Sequence, residues 1–305
     1  MKLDCSPVTQ HTFQNIPFYL KRDDLLHPTF SGNKSRKFRQ LIEHPPANID
    51  TIIGHGSPQA NSLYSMAALA KLHGWRCEFY VNHIASFIKQ SPSGNYKAAL
   101  ELGAQVIDVS ELTKSLSSWQ YIQTVRKPEQ NCAVVPEGGR CGIAEFGVKT
   151  LANEILEWIA ENQLSNIKVA LPSGTGTTAF FLQKHLKPHS IEVLTCACVG
   201  GEDYLTQQFH HLHDSDTLDK TDYPTILSLS NKHHFAKLYQ QDYIIWQKLI
   251  EETKVEFDLL YDPLMWRCLL EWHQNQQDVT ILYVHQGGLL GNETMLPRYQ
   301  RKYDY

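Results

Sequence analysis

The chain has 305 residues, 42% hydrophobic and 20% charged, which is the composition of a globular protein large enough for two domains. Its formal net charge of -4 gives no electrostatic reason for binding nucleic acid or a membrane surface. The N-terminus lacks the apolar run of a signal peptide, and no stretch is apolar for long enough to span a bilayer. We therefore predict a cytoplasmic protein with neither nucleic-acid nor membrane partners.

The cysteines and histidines predict neither disulfides nor a metal site. Seven cysteines are scattered along the chain, and the closest pair, Cys196 and Cys198, lies in an apolar, strand-like run typical of reduced, packed thiols. The fifteen histidines show none of the spacings that bind zinc.

In chain order, the hydrophobic pattern alternates between short strands and amphipathic helices. Strands are predicted at 17–20, 51–53, 77–81, 105–109, 132–135, 168–171, 191–199 and 279–284. Helices are predicted at 59–72, 94–102, 112–125, 144–160, 178–186, 235–251 and 264–272, with a helix and a long loop within 200–231. This alternation predicts a parallel α/β architecture.

A basic segment at residues 30–38 (FSGNKSRKF) carries the first chemical signal. It is predicted to be a glycine-containing turn that opens a helix, whose dipole disfavours a lysine cation at its start. The neighbouring cations Arg36 and Lys37 are expected to lower the pKa of Lys34 further. Lys34 is therefore a candidate nucleophile toward an aldehyde. The same run is also typical of a solvated basic helix face.

A glycine-rich loop at residues 170–179 lies between a predicted strand and a predicted helix. Its backbone N–H groups and the helix dipole suit an anion. The residues predicted to bind a phosphate are Gly174, Thr175, Gly176, Thr177 and Thr178. The loop also matches the weak dinucleotide pattern G-x-G-x-x-A, with Glu192 as the ribose ligand, and a tight turn without any ligand is a further alternative.

Two other glycine-containing loops, residues 54–61 and 136–142, follow strands on the same side of the predicted sheet. Ligands of parallel α/β sheets bind at the carboxyl ends of strands, so these loops should converge on one crevice. A lysine able to form an imine, a phosphate loop and convergent glycine loops together fit pyridoxal 5′-phosphate, an electron sink that carries one aldehyde and one phosphate.

The motifs also resemble those of a known family. The segment S-G-N-K-S-R-K around Lys34 is similar to the cofactor-lysine motif G-G-N-K-x-R-K of the 1-aminocyclopropane-1-carboxylate (ACC) deaminase and D-cysteine desulfhydrase family. Further similar motifs are K-R-D-D at 21–24, Q-A-N at 59–61, G-N at 94–95, L-G-A at 102–104, P-E-G-G at 136–139, S-G-T-G-T-T at 173–178 and H-Q-G-G at 285–288. Residues 200–260 have no match.

This resemblance implies the α/β fold type II of pyridoxal-phosphate enzymes, a two-domain architecture like the tryptophan synthase β-subunit, with parallel-rich twisted sheets. We expect a larger cofactor-binding domain from residues 1–46 and 151–305 and a smaller α/β domain from 47–150. The cofactor should lie between them. Family members are usually homodimers, so the resemblance also implies a homodimer.

The resemblance assigns roles to individual residues. Lys34 would hold the cofactor as a Schiff base and move the proton at the substrate's α-carbon, and Asn61 would hydrogen-bond the cofactor's phenolic oxygen. The glycine-rich loop would bind the 5′-phosphate. The substrate carboxylate would lie at the start of a helix, on the loop that contains Ser57, Gln59, Ala60 and Asn61.

Four residues depart from the family pattern. Ala60 replaces a serine whose hydroxyl handles substrate. When the dipeptide at 262–263 is aligned with the family segment D-P-V-Y-x, Met265 takes the place of a tyrosine that contacts substrate, and Trp266 that of a glutamate facing the pyridine nitrogen. Gln286 replaces a threonine that can serve this nitrogen, and we predict that it contacts the cofactor there. A neutral partner leaves the ring less electron-poor, which favours β-elimination.

The leading hypothesis is a pyridoxal-phosphate-dependent lyase or deaminase that acts on a small amino acid. It would abstract the α-proton and eliminate a β-substituent, giving a keto acid and ammonia. A catalytically degenerate pyridoxal-phosphate-binding protein is the first alternative, motivated by the departures in the substrate site. An NAD(P)-dependent oxidoreductase is the second, but it leaves Lys34 without a role.

Overall fold

The computed structural model describes Leu3 and residues 5–30, 32–213 and 222–304. The strands are β1 (Val8–Phe13), β2 (Ile16–Lys21), β3 (Thr51–His55), β4 (Arg76–Val81), β5 (Gln105–Asp108), β6 (Cys132–Val135), β7 (Ile167–Ser173), β8 (Glu192–Ala197), β9 (Thr225–Leu227) and β10 (Thr280–Val284). The helices are α1 (Gly32–Lys37), α2 (Arg39–Glu43), α3 (Asn61–His73), α4 (Ser86–Gln90), α5 (Gly94–Glu101), α6 (Ser118–Tyr121), α7 (Ile143–Glu161), α8 (Thr177–Leu186), α9 (Gly201–Leu212), α10 (Gln240–Thr253), α11 (Asp262–His273) and α12 (Asn292–Tyr303).

Two sheets organise the fold. A six-stranded sheet has the order β1-β2-β10-β7-β8-β9 and combines strands from both ends of the chain, and a four-stranded sheet has the order β5-β4-β3-β6. Between the described strands, every pairing is parallel except the β1–β2 hairpin. Separate apolar clusters pack on the two faces of the larger sheet. The predicted parallel-rich α/β architecture is confirmed.

The predicted strands all occur, with ends that differ by at most two residues. Two helix predictions were wrong in part. Within 112–125 the helix begins only after Ser117, whose side chain caps it. The helix predicted from 235 begins at Gln240, because Ala236 has a φ of 59° and Tyr239 is extended. Strands β1 and β9 and helices α4 and α12 had no prediction, and part of the long loop expected within 200–231 lies outside the described residues.

The predicted division into domains remains a prediction. The four-stranded sheet is built from residues 51–135, inside the predicted smaller domain. Helix α7, however, runs without a break across the predicted boundary at residue 150. We therefore propose that this boundary lies before Ile143. No helix among the described residues is long and apolar enough to cross a membrane.

A buried ion-pair network fixes the position of α1. The guanidinium of Arg36 donates to both carboxylate oxygens of Asp23, at 2.9 and 2.8 Å, and to both of Glu154, at 2.6 and 2.7 Å. Lys21 also pairs with Glu154 at 2.7 Å. Arg36 is fully buried. Its cationic neighbours Lys34, Lys37 and Arg39 are almost fully buried. The interpretation of a solvated basic face is therefore wrong.

The closest helix contact beside this network is made at Gly147 of α7. A Cβ atom at this position would lie 1.9 Å from the Arg36 carbonyl oxygen and 2.7 Å from Arg39 Cβ. We predict that Gly147→Ala lowers the free energy of unfolding by about 1–3 kcal/mol, because the methyl group forces α7 away from α1. Gly142→Ala is the control, since a Cβ there meets no atom within 4 Å, and it should change stability by less than about 1 kcal/mol. Urea unfolding compares the variants, and equal stabilities would contradict the prediction.

Glu154 should make stability depend on pH. Burial raises its pKa, but the bonds to Arg36 and Lys21 outweigh burial and hold the pKa at about 2. A carboxyl group with a lowered pKa stabilises the folded state above its unfolded pKa, and this contribution is lost as the pH falls. The wild type should therefore lose about 3 kcal/mol between pH 4.5 and pH 2 through this group.

Glu154→Gln should abolish this part of the pH dependence and lower stability at neutral pH, because Arg36 then lacks a counter-charge. Urea unfolding across this pH range measures both effects. Glu101→Gln, which removes an exposed pair with Lys97, should leave the wild-type profile unchanged. Equal slopes in the Glu154 variant and the wild type would contradict the assignment.

Candidate active site

Lys34 lies in α1 with its amine buried. Its Nζ donates to Asn33 Oδ1 at 3.3 Å. Burial lowers the pKa of Lys34 to about 8, even though the negative charge of Asp258 acts to raise it. An unprotonated amine, the form that attacks an aldehyde, is therefore available near neutral pH. Ser31, the first residue of the predicted lysine motif, lies outside the described residues.

The cause of the lowered pKa differs from the prediction. Repulsion by Arg36 and Lys37 was expected, but Arg36 is neutralised by its carboxylate partners. Lys37 lies beside the P-E-G-G loop, where its Nζ donates to the carbonyl oxygen of Gly138 at 2.9 Å. Burial, followed by repulsion from Lys34, lowers the pKa of Lys37 itself. Burial, rather than the cationic neighbours, thus lowers the pKa of the reactive lysine.

The predicted phosphate loop forms the N-terminus of α8. Gly176 has a φ of +70°, and a Cβ there would lie 2.6 Å from Leu205 and Phe209 of α9, so only glycine fits. Thr175 and Thr177 are hydrogen-bonded to each other at 3.1 Å. The hydroxyl of Thr178 is buried without a partner among the described residues. Free backbone donors, a helix dipole and an unpartnered hydroxyl together fit a phosphate group.

Asn61 is the first residue of helix α3. Its Oδ1 accepts a hydrogen bond from Asn95 Nδ2 at 2.8 Å. A Cβ on Gly288 would lie 2.3 Å from Asn61 Nδ2, so the backbone at Gly288 packs directly against this amide. Ala60 supplies no side-chain cap to α3, which leaves the N–H groups of the helix start open to a ligand carboxylate.

The remaining predicted substrate residues lie on the same loop. Ser57 Oγ accepts from the backbone N–H of Gln59 at 3.2 Å, and the Gln59 Oε1 atom is buried without a partner among the described residues. A cleft of about 200 Å³ opens beside this loop, lined in part by Gly32, Asn95 and Gly288. Neither this cleft nor a larger cavity of about 360 Å³ near the ends of β8 and β9 is lined by any of the predicted site residues.

Two site residues had no sequence prediction, Asp258 and Tyr261. A Cβ on Gly174 would lie 3.5 Å from the Tyr261 hydroxyl, so this phenol faces the phosphate loop. Asp258 is buried, and burial together with the charge of Asp262 raises its pKa to about 7. A signal was present, because Asp258-Leu-Leu-Tyr261 has the D-x-x-Y spacing of the family's D-P-V-Y segment. The later Asp-Pro dipeptide led to an alignment shifted by four residues.

This shift makes the prediction for Met265 wrong. Met265 and Trp266 are fully buried in the apolar cluster of the larger sheet. The Trp266 ring stacks on Tyr283 at 5.0 Å and packs edge-on against Phe18 at 4.6 Å. Neither side chain is therefore placed to contact a substrate. The carboxylate of Asp262 accepts bonds from the Tyr283 hydroxyl and the Asp258 backbone N–H.

The role predicted for Gln286 remains a prediction. Its Nε2 donates to the Pro172 carbonyl oxygen at 2.6 Å, and its Oε1 accepts from Asn33 Nδ2 at 2.8 Å. The backbone N–H of Asn33 also donates to the Gln286 carbonyl at 2.8 Å. Gln286 thus ties the lysine segment to the strand that carries the phosphate loop.

The geometry contradicts the dinucleotide interpretation of that loop. Glu192 is the first residue of β8, whereas the loop follows the last residue of the parallel strand β7. The Glu192 carboxylate therefore lies at the N-terminal ends of these strands, where it pairs with Lys168 at 2.8 Å. A ribose ligand would have to lie at the same edge as the loop.

Known proteins similar to this chain share its predicted family. A putative ACC deaminase of Thermotoga maritima is 23% identical over 287 residues, covering 90% of this chain and 89% of that protein. The D-cysteine desulfhydrase of Salmonella choleraesuis is 29% identical over 176 residues, or 56% of this chain and 54% of the relative. No protein-family model matches the chain.

Solved structures show the same fold. The crystal structure of an ACC deaminase homologue has a TM-score of 0.75 and 18% identity, covering 98% of this chain and 94% of that one. The predicted fold type II architecture is thereby confirmed. The chain is thus similar, at low sequence identity, to proteins named as ACC deaminases and D-cysteine desulfhydrases.

Proposed function

We propose that the protein is a pyridoxal-phosphate-dependent lyase or deaminase acting on a small amino acid. The observation that carries this proposal is the placement of Lys34. Its amine is buried, with a pKa of about 8, and the charge of Asp258 acts on it. Asp258 also meets Asn61, and nearby Tyr261 lies against the phosphate loop. ACC deaminases and D-cysteine desulfhydrases are pyridoxal-phosphate enzymes, which supports the same cofactor here.

Different residues of the chain would bind the different groups of this cofactor. The N-terminus of α8 and the free Thr178 hydroxyl would bind the phosphate, and the Asn61 amide would donate to the phenolic oxygen. Lys34 would bind the aldehyde carbon covalently and then exchange the proton at the substrate's α-carbon. When bound, pyridoxal phosphate supplies the electron sink that makes this proton acidic.

The substrate would bind between α3 and Tyr261. The open N-terminus of α3 suits its carboxylate, because the helix dipole and the free N–H groups favour an anion. The Tyr261 hydroxyl lies against the phosphate loop, where it would hydrogen-bond a substrate group. The absence of a hydroxyl at Ala60 leaves the specific substrate open, and we propose D-cysteine and D- or L-serine as the first ones to test.

A catalytically degenerate cofactor-binding protein is the second candidate. Ala60 favours it, since a methyl group cannot replace the serine hydroxyl that handles substrate in the family. Such a protein would bind the cofactor but turn over none of a panel of small D- and L-amino acids. Turnover of any one of them would exclude this candidate.

Lys34→Ala should abolish the visible absorption band that the protein gains with pyridoxal phosphate, because that band requires the lysine–aldehyde bond. Borohydride reduction followed by peptide mapping should place the reduced adduct on Lys34 in the wild type. Lys71→Ala, on the exposed face of α3, should keep both the band and the adduct. A band that survives in Lys34→Ala, or a wild type that takes up no cofactor, would overturn the proposed function.

Tyr261→Phe should reduce kcat/KM at least about tenfold on whichever amino acid is turned over, because it removes a polar group from the reacting side of the site. If no amino acid is turned over, the change in cofactor absorbance on ligand addition gives the dissociation constants instead. Met265→Leu is the matched control. It conserves volume within the apolar core and should stay within about threefold of the wild type. A larger loss of kcat/KM in Met265→Leu than in Tyr261→Phe would support the alignment that places Met265 in the site.

A further inference from the structure

The two carboxylate oxygens of Asp258 have different surroundings: one accepts backbone hydrogen bonds and the other lies beside Gly288. Its Oδ1 accepts the N–H groups of Leu260 at 2.7 Å and Tyr261 at 3.1 Å. Its Oδ2 lies 3.0 Å from the position of a Cβ on Gly288, the position that is also 2.3 Å from Asn61 Nδ2. The side chains of Asp258 and Asn61 therefore meet over the same glycine, and interaction with the Asn61 amide favours the ionised form of the carboxyl group.

The Asn61 amide is held from both ends. On one side, Asn95 Nδ2 donates to Asn61 Oδ1 at 2.8 Å and to the Gln59 carbonyl at 3.0 Å, so Asn95 presents only donors there. On the other side, an ionised Asp258 presents only an acceptor. If the amide of Asn61 rotated by half a turn, nitrogen would face nitrogen and oxygen would face oxygen. Both contacts would then be repulsive, so one orientation is selected.

This orientation leaves one hydrogen unused. Asn61 Nδ2 carries two hydrogens, of which Asp258 accepts one. The remaining hydrogen can bind only an acceptor, such as the phenolic oxygen of the proposed cofactor. We propose, on the basis of the proposed function, that Asp258 and Asn95 are positioning residues that aim a single N–H of Asn61 at this oxygen.

The ionisation of Asp258 controls this arrangement. Asp262, at the start of α11, raises the pKa of Asp258, and the charge of Asp258 acts in turn on Lys34 of α1 and on the Tyr261 phenol. His285, at the end of β10, acts on Asp262 in turn. Burial and Asp262 raise the pKa of Asp258 to about 7. Above this pH the carboxylate accepts from Asn61, whereas below it the added proton has no acceptor on the Asn61 nitrogen.

The test measures the dissociation constant of pyridoxal phosphate, by absorbance titration of the full-length protein, about one pH unit above and below the pKa of Asp258. Asp258→Asn should weaken binding at least about tenfold at the higher pH, because its own N–H groups then face those of Asn61. The dissociation constant of the variant divided by that of the wild type should fall below about threefold at the lower pH, because the wild-type carboxyl is then protonated and also uncharged. A purely structural defect would give the same ratio at both values.

Two further variants keep the proposal falsifiable. Asp242→Asn removes another buried carboxylate, one paired with Arg267 at 2.7 Å in a different part of the larger sheet's core, and should leave cofactor affinity within about twofold. Asn95→Ala should weaken binding by a similar factor at both pH values, because an amide does not titrate.

Wild-type affinity in Asp258→Asn at the higher pH, or a ratio that does not change with pH, would overturn this inference while leaving the proposed function intact. If Asp258→Asn does not fold, wild-type affinity in Asn95→Ala would overturn it instead. A wild type that binds no pyridoxal phosphate would overturn the proposed function and this inference together.

Discussion

The buried guanidinium of Arg36 is the constraint on which the position of the reactive lysine depends. A charge without solvent is tolerated only when its donors are satisfied, and here two carboxylates take four of its hydrogen bonds. Those carboxylates belong to the turn after β2 and to α7, so the short helix between them can neither rotate nor slide. This network fixes the position of Lys34, which lies two residues before Arg36 and makes none of the network's hydrogen bonds.

The sheets, the phosphate loop and Lys34 could be predicted because their signals are local. Short apolar strands, glycines at a strand–helix turn and a lysine after a glycine are each recognised within a short stretch of sequence. The surroundings of the basic run could not be predicted in this way. Its counter-charges, Asp23 and Glu154, lie 13 and 118 residues from Arg36 along the chain, and only the fold brings them together. The same long-range burial, rather than neighbouring charge, sets the pKa of Lys34.

The alignment beyond residue 257 failed for a different reason. Asp262 followed by proline is a strong helix-start signal, and it is one in the structure, but it also imitates the beginning of a family segment. The residues that we propose for that segment, Asp258 and Tyr261, precede the helix and lie four residues earlier than the alignment assumed. Met265 lies one turn beyond Tyr261 and is buried in the apolar cluster of the larger sheet, which only the structure shows. A dipeptide match is thus weaker evidence than the observed surroundings of a side chain.

The hydrogen bonds made by Gln286 fix the distance between the lysine segment and the phosphate loop. One rigid amide joins Asn33, beside the lysine, to Pro172, on the strand that leads to the phosphate loop. The amine and the N-terminus of α8 therefore cannot separate independently. Under the proposed function, a molecule that carries an aldehyde and a phosphate at the matching distance would bind at both ends at once, so its second contact would form at a high effective concentration. Free phosphate or a simple aldehyde obtains only one of these contacts, and the fixed span thereby selects by length as well as by chemistry.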